Sequence, residues 1–204
     1  MYKYFSIAIL FLLSACVMAE NVSVAPAGEF AKIDVKEQNA MLEKILKGDD
    51  ASILKVIDQP ENFNPVVLYG LSSALFANGK KEEAAFWFYV GQLRGRSDAN
   101  KALDMSARAG IGALNQKFGR AINQYAMKDI SKLKEIVAEV VKFDESTPRN
   151  YDPRWISLHG MDVFLEKEKV AFEPESKWEA INTKTRNDYY NGFKQAMKKF
   201  EDNQ

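Results

Sequence analysis

Cys16 and His159 are the only cysteine and the only histidine in 204 residues, and that scarcity narrows the chemistry open to the chain. A zinc site of the usual nitrogen and sulfur ligands needs three or four such groups, so none is expected. A single cysteine excludes an intrachain disulfide. Serine catalysis needs a base that a third group orients; Gly70-Leu71-Ser72-Ser73-Ala74 loosely matches a nucleophile elbow but falls where a helix is expected. His159 could serve as a base, yet a lone histidine beside Gly160 reads more simply as a surface or structural residue. Gly48-Asp49-Asp50 lacks the spaced oxygen ligands of a calcium loop, and Gly110-Ile111-Gly112 lacks the strand and third glycine of a dinucleotide loop. No metal and no cofactor is expected.

Paired carboxylates are the least excluded catalytic route, because a glycan-cleaving enzyme works with two acids. Glu82-Glu83 and Asp144-Glu145 qualify by composition alone. Adjacent acids on a helix point in different directions, and solubility explains them more simply. The expectation is therefore binding rather than catalysis. Charge narrows the partner. The chain carries 28 basic and 28 acidic side chains, whereas phosphate binding calls for a concentrated excess of Lys and Arg. Nucleic acid is not an expected partner, and Lys198-Lys199 reads as a solvated face.

The N-terminus carries the clearest address. Lys3 supplies a positive start, and the apolar run Phe5 to Leu13 is interrupted only by Ser6. It is too short to span a bilayer and has the form of a secretory signal. The next residues, Leu13-Ser14-Ala15-Cys16, resemble the lipobox of bacterial lipoproteins: an apolar residue and two small ones before a cysteine. The resemblance implies cleavage before Cys16, lipidation of its thiol, and a firm anchor, since several acyl chains hold where one is marginal. Val17-Met18-Ala19 offers a competing site, with cleavage before Glu20 and a protein free of the membrane. Either route removes Lys3, leaving 27 basic against 28 acidic residues, and leaves no free thiol. The expected location is the periplasm or outer membrane, with residues 1–19 as signal, 20–34 as a tether containing Pro26 and Gly28, and 35–204 as one helical domain.

Helical spacing runs through that domain. Val35 to Lys47 and Ser52 to Ile57 read as helices, separated by a stop at Gly48. Asn64-Pro65 has the form of a cap and first turn, Gly79 that of a left-handed end, and Lys80 to Arg94 forms the partner helix. Ser97-Asp98 is read as the cap of a further helix reaching Lys117, with Gly110 and Gly112 in its middle. Asp129 or Ser131 opens a helix whose apolar face includes Leu133, Ile136, Val137 and Val140. Thr147 to Asn150 interrupts, Asp152-Pro153 caps a new turn, Pro174 interrupts again, and Lys184 to Phe200 is the last helix.

Leu68, Leu71, Ser72 and Leu75, then Gly79, Ala84, Phe88 and Gly91, fall at the spacing of a tetratricopeptide or Sel1-like hairpin, which they resemble over about 30 residues. Arg96 stands where such repeats usually carry proline, and Ala99 to Phe118 is at best a degenerate second copy. The expected fold class is all-α, built of antiparallel hairpins, with a short tetratricopeptide-like array as its extended form. Phe86-Trp87-Phe88-Tyr89 points almost all the way round a helix, so it should lie at the centre of the core. Trp87, Arg94, Arg96 and Trp155 are the candidate groups for a protein partner. The expected function is an envelope adaptor or scaffold; the alternatives are a periplasmic immunity protein that neutralises a toxin and, behind it, a glycan-acting enzyme.

Overall fold

A computed structural model describes residues 25–203; the signal, Cys16 and the first part of the tether lie outside them. Three of the α-helices begin where a short polar side chain accepts a free backbone N–H. After α1 (Lys36–Leu46), Asp49 accepts the Ser52 N–H at the start of α2 (Asp50–Asp58), and Asn64 accepts the Val67 N–H at the start of α3 (Pro65–Ala77). Gly79, at φ +79°, makes the left-handed turn into α4 (Lys81–Lys101). A 3-10 turn at Met105–Arg108 leads to α5 (Ala109–Ala126), and Asp129 caps α6 (Ile130–Ser146) through the Lys132 N–H. A 3-10 stretch at Pro153–His159, the single turn α7 (Met161–Phe164) and α8 (Trp178–Glu201) complete the fold. It is all-α: the described residues contain no strand, only a bridge between Ala102 and Phe172.

α4 is the axis. It packs against α3, α5, α6 and α8, which is why it buries residues on every side, with Trp87, Phe88 and Tyr89 all in the core and Phe86 packed at its margin. Tyr69 and Tyr89 each set a ring edge-on to Phe88 at 5.3 Å. The α3–α4 hairpin stands as read, but the other helices surround α4. In a stacked array each repeat touches only its neighbours; here one helix touches four.

Several boundaries differ from the sequence reading. α4 runs past Arg94 to Lys101, so Ser97 and Asp98 lie inside it and cap nothing. Their side chains have tertiary partners: Ser97 Oγ donates to Asn182 Oδ1 at 2.7 Å, and Asp98 accepts from Lys101 Nζ and from Trp155 Nε1, each at 2.9 Å. The helix stops at the bridge to Phe172, so Gly110 and Gly112 open α5 instead of softening a longer helix. α8 starts six residues before Lys184, because Asn182 belongs to the contact with α4. The packed body begins at Phe30, inside the stretch read as a tether; Phe30 and Ile33 are buried with Val163.

Two glycines on α5 separate packing from propensity. A Cβ on Gly119 would stand 2.6 Å from Phe88 Cζ, on a ring held edge-on by two tyrosines, whereas a Cβ on Gly112 meets nothing within 4 Å. Gly119→Ala should therefore lower stability by about 1–2 kcal/mol, the overpacking exceeding the helix propensity gained. Gly112→Ala should raise it by about 0.5–1 kcal/mol. Denaturant melts of the two variants check both signs.

Candidate functional site

α4, α5 and α8 enclose a groove of about 620 Å³, within the range of ligand and peptide sites. Its floor is buried and largely apolar, with Ala99, Ile111, Leu133, Tyr189 and Met197 among its lining residues. Gly112, Gly192 and Ala196 keep the walls low. The phenols in the wall are engaged: Tyr189 Oη donates to Gln92 Oε1 at 2.8 Å, and Tyr89 Oη donates to Asn123 Oδ1 at 2.9 Å. Burial pushes the Tyr89 hydroxyl up to about 12 and that of Tyr189 further still, so both remain neutral.

Charge in the groove comes from its rim. Arg96 and Arg108 are exposed there, and among the described residues neither guanidinium makes an ion pair or a hydrogen bond. Arg96 lies over the Tyr189 ring at 5.1 Å, a contact that orients the cation without neutralising it. Asp188 also lines the groove but is paired with Lys184. The result is an apolar trough edged by two uncompensated cations.

The spacing of α4 and α8 along this groove is held from behind by a buried ionic cluster. Asp144, from the end of α6, receives Arg94 Nε at 3.2 Å, Arg149 Nη2 at 2.8 Å and Arg186 Nε at 3.0 Å. The Arg94 and Asp144 side chains are 0 % exposed. Burial by itself would raise the Asp144 carboxyl, but the Arg149 and Arg94 charges and the bonds from Arg149 and Arg186 hold it below the usual carboxylate range. Three further donors reach backbone and amide oxygens: Arg94 Nη2 to Thr147 O, Arg186 Nη2 to Asp144 O, and Arg149 Nη1 to Asn182 Oδ1.

Of the four residues expected to meet a partner, Arg96 alone is exposed. Trp87 is buried and set edge-on to Phe143 at 5.4 Å, Arg94 is enclosed by the ionic cluster, and Trp155 is buried with its indole N–H on Asp98. These three are corrected from interface groups to core groups. Each is large and amphipathic, so sequence alone does not separate a buried anchor from an exposed one. Arg108 was missed because the sequence around it reads as the middle of one helix from Ser97 to Lys117, whereas the structure puts it at the end of a 3-10 turn. Asp98 and Lys101 carried a readable signal, being charges at positions i+4 and i+7 from Arg94 on one helix.

The catalytic candidates do not come together. Ser72 is buried in α3 and donates to Tyr69 O at 2.7 Å. Glu82 faces Lys132, whereas Asp144 is enclosed and Glu145 exposed. His159 is exposed beside the Trp155 ring at 5.7 Å. Among the described residues no three His, Cys, Asp or Glu side chains converge as metal ligands.

Asp144→Asn tests the cluster. Removing the charge leaves three guanidiniums facing a neutral amide, and stability at pH 7 should fall by about 3–5 kcal/mol. Because the carboxyl is held below the ordinary aspartate value of 3.8, its contribution is complete above that pH and is lost as pH falls through the folded value. The gap between wild type and variant should therefore close on acidification below pH 3.8, measured by urea melts across that range. No protein-family model, curated protein or solved structure matches the chain, so the groove rests on its own geometry and chemistry.

Proposed function

We propose that this chain is an exported, lipid-anchored interaction domain of the bacterial envelope, and that its groove receives an acidic, amphipathic helical segment of another envelope protein. The observation that carries this reading is the apolar trough with Arg96 and Arg108 unpaired at its rim among the described residues. A trough between helices accepts the apolar face of a further helix, and carboxylates on that helix would neutralise the two arginines. Arg and Tyr at a desolvated contact are the residue types that dominate binding energy.

Two further observations support binding over catalysis. Ser72 and Asp144 are committed to structural bonds. His159 makes no hydrogen bond to an acid among the described residues. Among the same residues, no helix is long and apolar enough to cross a membrane. The lipobox resemblance alone assigns attachment to Cys16.

Two measurements test the reading. Mass spectrometry of the mature N-terminal peptide should find it beginning at an acylated Cys16; a peptide beginning at Glu20 removes the anchor, and an intact Met1 removes export. For the groove, a photo-crosslinker at exposed Gly192 should capture an acid-rich helical peptide from envelope extract. The double charge reversal Arg96→Glu and Arg108→Glu should weaken that capture by at least about tenfold, since two charge-assisted contacts are lost, with an unchanged melting temperature. Capture that ignores the reversal rejects the groove as the binding site; recovery of a delivered toxin would favour the immunity reading.

A further inference from the structure

Seven large apolar side chains stand exposed among the described residues, and five of them gather at one end: Leu103, Met105, Met161, Phe164 and Leu165, each 46 to 63 % exposed. They come from two segments bound directly together. The Met161 N–H donates to Ser106 Oγ at 2.7 Å, the Asp162 N–H to Asp104 Oδ2 at 3.1 Å, and the Leu103 N–H to Ala171 O at 2.9 Å. Scattered exposed apolar residues are ordinary, but five on one tip mark a contact surface.

The N-terminal part of the chain meets the body at this same tip. The Glu29 N–H donates to Glu168 O at 2.8 Å, the Val170 N–H donates to Glu29 Oε2 at 2.9 Å, and Phe30 packs with Val163. Gly28, at φ +56°, lies so close that a Cβ would stand 2.4 Å from Glu168 O. Cys16 precedes Gly28 by twelve positions, a reach of at most about 40 Å. An anchored lipid would thus tie the molecule to the bilayer through this end.

We propose that the tip formed by Leu103, Met105, Met161, Phe164 and Leu165 is the face that docks on the phospholipid surface; this rests on the anchor reading above. Position selects the bilayer as occupant, because the tether emerges beside the tip and raises the local concentration of lipid there. Charge has a minor part, since Glu166, Lys167, Glu168 and Lys169 alternate in sign beside the apolar side chains. Docking should therefore persist at high salt, unlike attachment through a basic patch.

The mature full-length chain, purified from membranes and reconstituted into phosphatidylethanolamine–phosphatidylglycerol vesicles, allows a direct test. Single Leu165→Cys and Leu54→Cys variants carry an environment-sensitive fluorophore; Leu54 is also exposed but lies on α2, which packs against α1 and α3. Nitroxide-bearing lipid should quench the label at 165 at least about threefold more than the label at 54, at low and high salt alike, as expected for side chains seated at the headgroup boundary. Equal quenching on chains whose acylated Cys16 is verified by mass overturns the docking face and leaves the anchor standing. If the mature peptide lacks lipid, the anchor reading has failed. The same labels on chain mixed with vesicles then decide the tip: preferential quenching at 165 retains it, and none overturns it. If the unlabelled Leu165→Cys chain, oxidised by copper–phenanthroline with vesicles present, forms a disulfide dimer and the labelled site is shielded from lipid, the tip belongs to a second copy, which also overturns the proposal.

Discussion

The arrangement of the helices depends on one carboxylate. Asp144 collects guanidiniums from α4, from the loop after α6 and from α8, so three pieces of chain far apart in sequence share one buried anion. Asp98 lies next to it, taking Lys101 and the Trp155 indole, with Arg149 3.9 Å away. Two acids therefore face four buried or nearly buried cations, and Arg94 Nη1 and Tyr151 Oη have no hydrogen-bond partner among the described residues. An ion cluster of this kind costs much desolvation and adds little net stability, but severing it leaves unpaired charge in the core. Its effect is on geometry: hydrophobic contact along α4 is tolerant of small rotations, whereas three guanidiniums converging on one carboxylate are not.

That constraint reaches the groove through the helical repeat. Successive residues turn by about 100°, so Arg94 and Arg96 lie some 200° apart on α4. Fixing Arg94 inward on Asp144 turns Arg96 outward, onto the Tyr189 ring and the groove rim. On α8, Arg186 and Tyr189 are one turn apart, and the same anchor that holds Arg186 places the phenol against Gln92. The bonds from Ser97 to Asn182 and from Asn100 to Thr185 continue the pairing of the two helices. The groove is consequently preformed, and preformed sites lose less on binding than sites ordered by the ligand.

The fold class was legible because local signals governed it. Asn64-Pro65, Gly79 and Asp129 act as caps and stops wherever their own backbone is their nearest partner. The reading went astray at Ser97-Asp98, where residues of capping type turned to tertiary partners some 57 and 85 positions away. Arg94 failed for the same reason: nothing within one turn of it reveals that Asp144, 50 residues on, will neutralise it. The aromatic quartet was readable because apolar groups on all sides of one helix admit few solutions besides a central one. For charged and amphipathic residues, burial is decided by long-range pairing, and the candidate site consists mostly of such residues.

The position of α4 also accounts for why the hairpin resemblance stops after one copy. A stacked repeat must offer the same apolar face to the next repeat, which confines its buried positions to two sides. Here Trp87, Phe88, Tyr89 and Val90 are consecutive and all buried, so α4 has no free side on which another hairpin could stack. Helices α5, α6 and α8 occupy those sides instead. A sequence that spends four successive bulky residues on one helix has given up extension along an array in exchange for closure around a single axis, and any partner must then be met at the seams between the enclosing helices. The seam between α5 and α8 is the one where α4 lies open at Arg96 and Asn100.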